Sequence, residues 1–401
     1  MAGNSILTID MITRKALEIL ENNLVLSRNV NRQYDDSFAV EGAKIGSTLR
    51  IRLPDRALVT DGAALQVQDD NEQFTTLPVS TQKHIGINFT SAELTMQMDD
   101  FAERVLKPRI SQLASSVDAD LANVYKDFYS SVGTPGTIPG TSAVLLAGQQ
   151  KLNEYASPMN PRYATVNPAA NAGLVEGMKG LFNPTNTVSS QFKSGMMGTG
   201  VLGFEEVNMS QSIGMHTTGN WGTTITNTGT ISVQGQATLP ISFTGTGSTW
   251  KKGDVFTIAD CYMVNPQTRQ SSGSLQQFVV TEDLTASTTG TLKIAPAIYT
   301  PSNALATVDS FPVAGKAITM VGAASKQYAQ NLIYHKDAIT LATADLLLPQ
   351  GVDMASRQVH NGISMRIVRQ YDINNDRMPC RVDVLYGYAA IRPPMACRLW
   401  G

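Results

Sequence analysis

The chain has 401 residues, of which 42% are hydrophobic and 16% are charged, with 31 Lys and Arg against 33 Asp and Glu. This composition predicts two or three folding units with a sizeable core, and it excludes a disordered chain. The net charge of −2 argues against a dedicated nucleic-acid binder, and three cysteines without close pairing exclude a disulfide-stapled scaffold. This cysteine usage fits a reducing cytosol.

No hydrophobic run approaches the ~18 residues that a membrane span requires. The N-terminal residues also lack the basic and then apolar pattern of a signal peptide. We therefore expect a soluble product that is synthesised in the cytoplasm and has no membrane partner.

The N-terminal segment predicts a short amphipathic helix followed by an extended tail. Ile12, Ala16, Ile19 and Leu20 recur at helical spacing and form one apolar face. Asp10 lies in the first turn, where a carboxylate suits the positive end of the helix dipole. A helix this short must dock on its own chain or on a neighbouring copy, and docking on its own domain is the favoured interpretation.

Residues 34–79 predict a long β excursion. Hydrophobic and polar residues alternate at 44–54, a polar stretch follows at 55–76, and a second strand-like run covers 79–89. Two strands separated by a polar stretch predict a projecting hairpin, which either stays exposed or is covered by a partner.

The longest helical pattern of the chain covers 91–131. Thr90 and Glu93 have the spacing of a capping box at its start. Pro108 falls inside the pattern, where we expect it to kink the helix or to split it in two. The Gly- and Pro-rich stretch at 133–140 ends the helix.

A change of composition divides the second half of the chain. Residues 141–206 and 321–401 have mixed α/β patterns, whereas 207–250 contains no Asp, Glu, Lys or Arg. An all-β barrel or sandwich of ~100 residues is predicted here. Its short β-rich runs lie at 230–233, 241–244, 254–259, 276–281 and 291–294. Because the α/β pattern returns afterwards, we expect the β module to be inserted in a discontinuous parent domain.

The residue types that carry catalysis or bind metals form no convincing constellation. The histidines are not at metal-ligand spacing, the cysteines form no C-x-x-C pair, and no motif of a known nucleophile, phosphate loop or metalloprotease helix occurs. Adjacent carboxylate pairs fit loops and helix caps, whereas general acid–base catalysis needs carboxylates that converge in a pocket. We therefore predict no enzyme activity, no cofactor and no metal site.

Several stretches, in chain order, resemble the coat proteins of tailed double-stranded DNA bacteriophages. Residues 99–121 resemble the spine-helix stretch of phage major capsid proteins, including a proline one turn after an arginine. The later stretches resemble the inserted β-barrel and the C-terminal segments of the P22-like coat protein family. They lie at 252–258, 264–268, 275–280, 331–340 and 381–393.

The resemblance implies an α+β fold of the Hong Kong 97 capsid type with an inserted all-β barrel. Its expected parts follow the chain as an N-terminal arm (1–33), an extended loop (34–80), a peripheral domain with a long spine helix (81–140), an axial domain (141–214), the inserted barrel (215–320) and a returning axial and peripheral segment (321–401).

The resemblance also implies a major capsid protein that assembles into an icosahedral shell around the phage genome. A scaffold-assisted procapsid would expand as double-stranded DNA is packaged through a portal. The implied partners are pentamers and hexamers of this chain, scaffolding and portal proteins, a possible decoration protein, and DNA bound without sequence specificity. The near-zero net charge fits this role, because a strongly basic interior would grip DNA through counterion release.

Charged residues of the extended loop and of the inserted module are the candidates for contacts between subunits. Each exposed ion pair contributes only ~0–1 kcal/mol, so repetition over many copies would matter more than any one pair. The candidates are Arg50, Arg52, Arg56, Asp61, Asp69, Asp70, Glu72, Asp254, Asp260 and Arg269.

Two other function classes stay open at this point. The Thr- and Gly-rich module suits a phage tail, baseplate or adhesin protein, although adhesins are usually β throughout. A hydrolase with a carbohydrate-binding domain would stack sugars on Trp221, Trp250 or Trp400, which we expect to be core residues instead. A closed shell of many copies would favour the capsid protein, and a monomer with a deep pocket would favour the enzyme.

Overall fold

The computed structural model describes residues 9–35, 48–54, 56–59, 62–63, 67, 73–89, 102–178, 195, 197–374 and 378–400. The chain forms two compact units, and both are discontinuous in sequence. Unit 1 comprises Met1–Ile51, Phe74–Leu121 and Ile339–Ile391. Unit 2 comprises Arg52–Gln73, Ala122–Ala338 and Arg392–Gly401.

The α-helices of the described residues are α1 (Ile9–Asn23), α2 (Lys107–Ala122), α3 (Ser142–Glu154) and α4 (Pro168–Gly177). The strands up to the inserted module are β1 (Asn31–Asp35), β2 (Thr48–Arg52), β3 (Phe74–Pro78), β4 (Thr81–Phe89), β5 (Ser131–Val132), β6 (Arg162–Val166), β7 (Gly198–Val201), β8 (Phe204–Met209) and β9 (Met215–Thr217). The strands of the inserted module are β10 (Thr223–Asn227), β11 (Gln236–Thr244), β12 (Ser248–Trp250), β13 (Val255–Val264), β14 (Ser271–Val280), β15 (Leu284–Ala286), β16 (Thr289–Ile298) and β17 (Ile318–Met320). The strands after it are β18 (Gln327–His335), β19 (Ile339–Ala344), β20 (Met354–His360), β21 (Ile363–Arg369), β22 (Met378–Ala390) and β23 (Ala396–Trp400).

A six-stranded sheet forms the centre of unit 1. Its order is β1-β19-β22-β21-β20, and β4 also pairs with β22. Strand β1 runs parallel to β19, whereas β22 is antiparallel to β4, β19 and β21. Helix α1 packs against β20 and β21, and the Ser356 hydroxyl donates a hydrogen bond to Asp10. The predicted N-terminal helix therefore docks on its own unit.

The apolar face of α1 follows the predicted stripe at most positions. Ile12, Ala16 and Leu20 are buried, and Leu17 is buried with them. Ile19 is only half-buried, so the prediction was wrong for this residue. The buried face of the helix lies closer to Leu17 than the predicted stripe does, since Ala16 and Leu17 are both buried.

The chain after α1 is held on α2 by one carboxylate. Asp118 of α2 is buried, and its oxygens accept the backbone N–H groups of Val25 at 2.7 Å and of Ser27 at 3.0 Å. These two donors would otherwise be unpaired where the chain leaves the helix. The N-terminal segment is thus fixed at both ends of its docked part.

The long helix changes its hydrogen-bond pattern twice. A π-helical turn (Ala102–Leu106) precedes α2, and a 3₁₀ turn (Asn123–Asp127) follows it. Pro108 is the second residue of α2, so its missing backbone N–H falls where the π-helical turn changes to the α-helix. The helical segment therefore continues through the proline, and the irregular turn lies immediately before it.

The projecting hairpin has a different second strand from the one predicted. Strand β2 pairs with β3 in a two-stranded sheet, and β3 begins inside the stretch that the sequence marks as polar and ends two residues beyond it. The run at 79–89 forms β4, which pairs with β22 over its whole length instead. The alternation of β4 was recognised correctly, but its partner lies far away in sequence.

The α/β part of unit 2 is a seven-stranded sheet with two helices. The order is β5-β23-β18-β6-β8-β7, and β9 pairs with β18. Helix α4 begins at Pro168 after the N-cap Asn167, whose side chain accepts the Ala170 N–H at 2.8 Å. The core of this part consists of residues from α3, α4 and the sheet, including Leu145, Leu152, Val166, Leu174, Phe204, Val207, Ile333 and Leu399.

The inserted module is a β-barrel. Six strands follow the order β10-β11-β16-β14-β13-β17, and a bridge between Thr226 and Ala317 brings the first and last strands together. Its core contains Leu239, Ile241, Phe243, Trp250, Phe256, Ile258, Phe278, Leu292, Ile294 and Ile298. The predicted barrel is confirmed, and so is the α+β class of the whole chain. The run at 230–233 is not a strand, although Ile231 is buried in the barrel core.

Candidate intersubunit contacts and the buried junction of the barrel

Strand β2 and the loop after it carry the cationic contact candidates on the surface. Arg50, Arg52 and Arg56 are all exposed. The Arg50 guanidinium lies over the Phe74 ring, 3.8 Å from its centroid, and so stacks across the β2–β3 pair. The acidic candidates of the loop lie outside the described residues; they are Asp61, Asp69, Asp70 and Glu72.

Asp254 is not available to a neighbouring chain, which corrects the prediction for this residue. It is only 1% exposed. Its Oδ1 atom lies 2.9 Å from His216 Nε2, and its Oδ2 atom accepts the backbone N–H groups of Lys251 at 2.8 Å and Gly219 at 3.1 Å. The carboxylate points inward because it satisfies these donors at the start of β13.

Asp260 and Arg269 lie on the outside of the barrel. Asp260 forms an ion pair of 2.5 Å with Lys316, and 63% of the Asp260 side chain is exposed. Arg269 is half-buried in the turn between β13 and β14, and its Nη2 atom donates to the Ala57 carbonyl oxygen at 3.5 Å. Both side chains therefore have partners in their own chain, and a contact with another subunit stays a prediction.

A buried polar cluster joins the barrel to the α/β sheet of unit 2. Tyr125, at the end of the long helix, lies with its hydroxyl 3.2 Å from His216 Nδ1, and His216 Nε2 faces Asp254. Arg398 of β23 is completely buried, and its Nη1 atom donates to the Gly253 carbonyl at 2.6 Å. The Arg398 guanidinium also lies 5.3 Å from the Tyr125 ring centroid. We call Tyr125, His216, Asp254 and Arg398 the junction cluster.

Burial shifts the pKa of two members of the junction cluster. Desolvation lowers the pKa of Arg398 from 12.5 to about 10, although Tyr125 and Asp254 oppose the shift. Burial raises the pKa of Tyr125 to about 12, against the effect of the nearby Arg398 charge. Sequence reasoning missed this cluster, because its residues are far apart in the chain and a single histidine carries no motif.

Two glutamines of β14 make a second polar link at the same junction. The Gln277 side chain accepts the Ser131 N–H at 2.7 Å and donates to the Ser131 carbonyl at 3.0 Å. It therefore completes the backbone hydrogen bonding of β5 as a neighbouring strand would. The neighbouring Gln276 accepts the Tyr155 hydroxyl at 3.1 Å. The barrel is thus fixed on the sheet by directional hydrogen bonds as well as by apolar packing.

Three cations near the start of α2 have no ion-pair or hydrogen-bond partner for their side chains within the described part of the chain. Arg104 lies in the π-helical turn, and Lys107 and Arg109 begin α2. Arg104 and Lys107 are exposed, and Arg109 lines an open cleft of about 450 Å³ beside β4 and β22. Sequence reasoning did not select these residues, although their clustering on one turn was visible.

Two of the three tryptophans and all three thiols are buried in the described residues. The described residues contain no group of three or more His, Cys, Asp or Glu side chains placed to hold a metal ion, and none of their helices could cross a membrane. Trp250 and Trp400 are buried, and Trp221 packs against the barrel core. Burial raises the pKa of each of the three thiols to about 12; they belong to Cys261, Cys380 and Cys397.

Comparison with known proteins places these observations in a family. The model of the P22 coat protein family (gene protein 5) matches residues 1–401. The "Major capsid protein" of Acyrthosiphon pisum secondary endosymbiont phage 1 is 22% identical over 426 residues, with 100% of both chains covered. A solved structure from Mycobacterium phage Che8 has 11% identity and a TM-score of 0.46, covering 94% of this chain and 90% of that chain. The mature capsid of bacteriophage PhiM1 has 12% identity and a TM-score of 0.40, covering 92% and 85%.

The family match has more weight than the individual relatives, because it extends over the whole chain. It agrees with an α+β architecture in which a β-barrel interrupts an α/β domain. It also supports the coat-protein role that the sequence resemblance implies. The chain belongs to the P22 coat protein family.

Proposed function

We propose that this coat protein is the repeating subunit of an icosahedral shell that encloses the double-stranded DNA of a phage. The observation that carries the proposal is the family match over residues 1–401. A family of coat proteins is not an enzyme class, and the buried tryptophans and thiols agree with a structural role. The proposed location of the protein is the capsid of the virion, after synthesis in the cytoplasm of a bacterial host.

The extended loop is the proposed contact between neighbouring subunits. Residues 55–72 contain five acidic residues and one basic residue, which gives the loop a net charge of −4. Arg104, Lys107 and Arg109, whose side chains have no partner among the described residues, would form a complementary surface for the loop of a second copy. A two-stranded sheet such as β2–β3 is only marginally stable alone, so a covering partner would also stabilise the loop itself.

The proposed partners beyond the shell follow from the family resemblance. A scaffolding protein would guide assembly of a procapsid, a portal protein would admit DNA, and a decoration protein could bind the outside. DNA would be contacted without sequence specificity. The net charge of −2 supports this, because few phosphate contacts would form and DNA could leave again.

Negative-stain electron microscopy of the purified recombinant protein, combined with size-exclusion chromatography, tests the proposal. We expect closed shells, or pentamers and hexamers that form shells when a scaffolding protein is added. A monodisperse monomer that persists at high concentration and with scaffolding protein present would contradict the shell function.

A further inference from the structure

We propose that the β13–β14 turn of the barrel (265–270) is a docking site for the extended loop of the same chain, and that Arg269 fixes the loop there. The proposal rests on the proposed function, since a loop matters for assembly only if the chain forms shells. It differs from that function in assigning Arg269 a partner within its own subunit. The occupant is the first part of the loop, at 56–59.

The turn that carries Arg269 is built as a rigid platform. Asn265 organises it, since its backbone N–H donates to Gln270 O at 3.0 Å and its carbonyl accepts the Arg269 N–H at 2.8 Å. The Asn265 side chain also accepts the Gln267 N–H at 2.9 Å and donates to the Glu154 carbonyl at 3.1 Å, at the end of α3. The turn is therefore held on the end of α3 by a hydrogen bond that does not involve the loop.

Arg269 adopts a backbone conformation that glycine would adopt more easily. Its φ angle is +54°, in the left-handed region that costs other L-residues on the order of 1 kcal/mol. A strained position occupied by a large side chain suggests a task for that side chain. The guanidinium carries out such a task here, because its Nη2 atom reaches the Ala57 carbonyl oxygen at 3.5 Å.

The described residues of the loop belong to the same unit as the barrel. Residues 52–73 belong to unit 2, whereas most of β2 and all of β3 belong to unit 1. Tyr129, whose pKa is raised by burial, is close enough to Arg56 for that cation to oppose the rise. Tyr129 packs with Met263 of β13 and Val279 of β14. Two consecutive loop residues, Arg56 and Ala57, are therefore placed next to this side of the barrel.

Docking would orient the loop before a neighbouring subunit arrives. A pre-oriented loop loses less conformational freedom on binding than a free one, so the contact would favour assembly without touching the partner. The barrel would then act on assembly through the loop of its own chain.

Limited trypsin digestion of the isolated subunit tests the docking directly. The peptide bond between Arg56 and Ala57 adjoins the carbonyl that Arg269 contacts, and mass spectrometry of the fragment ending at Arg56 reports its cleavage. We expect Arg269→Gly and Arg269→Ala to be cut there roughly three to ten times faster than the unchanged protein, as loss of one long and exposed hydrogen bond implies. Glycine relieves the backbone at this position, so Arg269→Gly should fold normally.

Lys293→Ala is the matched control, since Lys293 is another cation of the barrel whose ion pair with Glu282 is exposed. It should leave cleavage at Arg56 unchanged. Equal cleavage rates for the Arg269 variants and the unchanged protein would overturn the proposal. So would a rate increase confined to Arg269→Gly, because the backbone and not the guanidinium would then be responsible. The readout uses free subunits, so it is independent of whether shells form.

Discussion

Removing the Asp254 carboxylate tests whether the junction cluster holds the barrel in place. Asp254→Ala deletes the acceptor of three hydrogen bonds, from His216 and from the backbone N–H groups of Lys251 and Gly219. A buried donor left without a partner costs ~1–3 kcal/mol, and three donors lose their acceptor in this variant. Because the three losses overlap, we expect a loss of about 3–5 kcal/mol in the free energy of unfolding of unit 2.

Two matched variants separate the causes of this loss. Asp254→Asn keeps the shape and one acceptor oxygen but removes the charge, so we expect a smaller loss of about 1–2 kcal/mol. Asp260→Ala removes a carboxylate of the same barrel whose ion pair with Lys316 is exposed, and exposed pairs contribute ~0–1 kcal/mol. The expected order of stability is therefore Asp260→Ala, then Asp254→Asn, then Asp254→Ala.

Urea unfolding of the purified subunit, followed by tryptophan fluorescence, measures the losses. Trp250 is completely buried in the barrel core and reports on that part of the chain. A loss below 1 kcal/mol for Asp254→Ala, or an equal loss for Asp260→Ala, would refute the reasoning that buried hydrogen bonds at Asp254 fix the barrel.

Three further outcomes follow from the contacts described above. Gln277→Ala should lower the free energy of unfolding by about 2–3 kcal/mol in the same urea assay, because both polar groups of Ser131 lose their partner. Gln277→Glu should also destabilise the protein, because it places a carboxylate oxygen against the Ser131 carbonyl oxygen. The double variant Lys107→Glu and Arg109→Glu should raise the protein concentration needed for shell formation at least tenfold. The melting temperature of the subunit should stay within a few degrees of the unchanged protein. A shell yield equal to that of the unchanged protein would contradict the proposed loop contact. The three buried thiols should resist a thiol reagent at pH 8 until the chain unfolds, and rapid labelling of the folded protein would disprove this. The free energy of unfolding should fall as the pH rises from 9 towards 12. Burial raises the pKa of these thiols from 9.0 to about 12, so in this pH range the unfolded chain releases their protons before the folded chain does.

The elements that the sequence predicts well are those whose burial follows a regular period. Helix α1 was predicted from apolar residues at helical spacing, and Ile12, Ala16 and Leu20 of that face are buried. The position of the barrel was recognised from composition, since the charge-free stretch lies between two α/β patterns. These signals are local, so they can be recognised in the sequence without knowledge of the fold.

The errors concern choices that depend on distant residues. The alternation of β4 is the same whichever strand it joins, and only the presence of β22 nearly three hundred residues later decides its partner. The turn before β13 is polar whether its carboxylate faces water or caps backbone donors, so Asp254 was assigned to the surface. Likewise, Tyr125, His216 and Arg398 become a cluster only when the barrel is seated on the sheet.

The strands at which the chain enters and leaves the barrel are paired with each other. Met215 lies opposite Ala329 and Thr217 opposite Gln327, so the two ends of the module meet at one narrow neck. A module attached in this way can be lengthened, exchanged or reshaped on its far side while the spacing of its two attachment points stays constant. Coat proteins built on this plan can therefore acquire new outer features one module at a time, without redesign of the sheet that carries them.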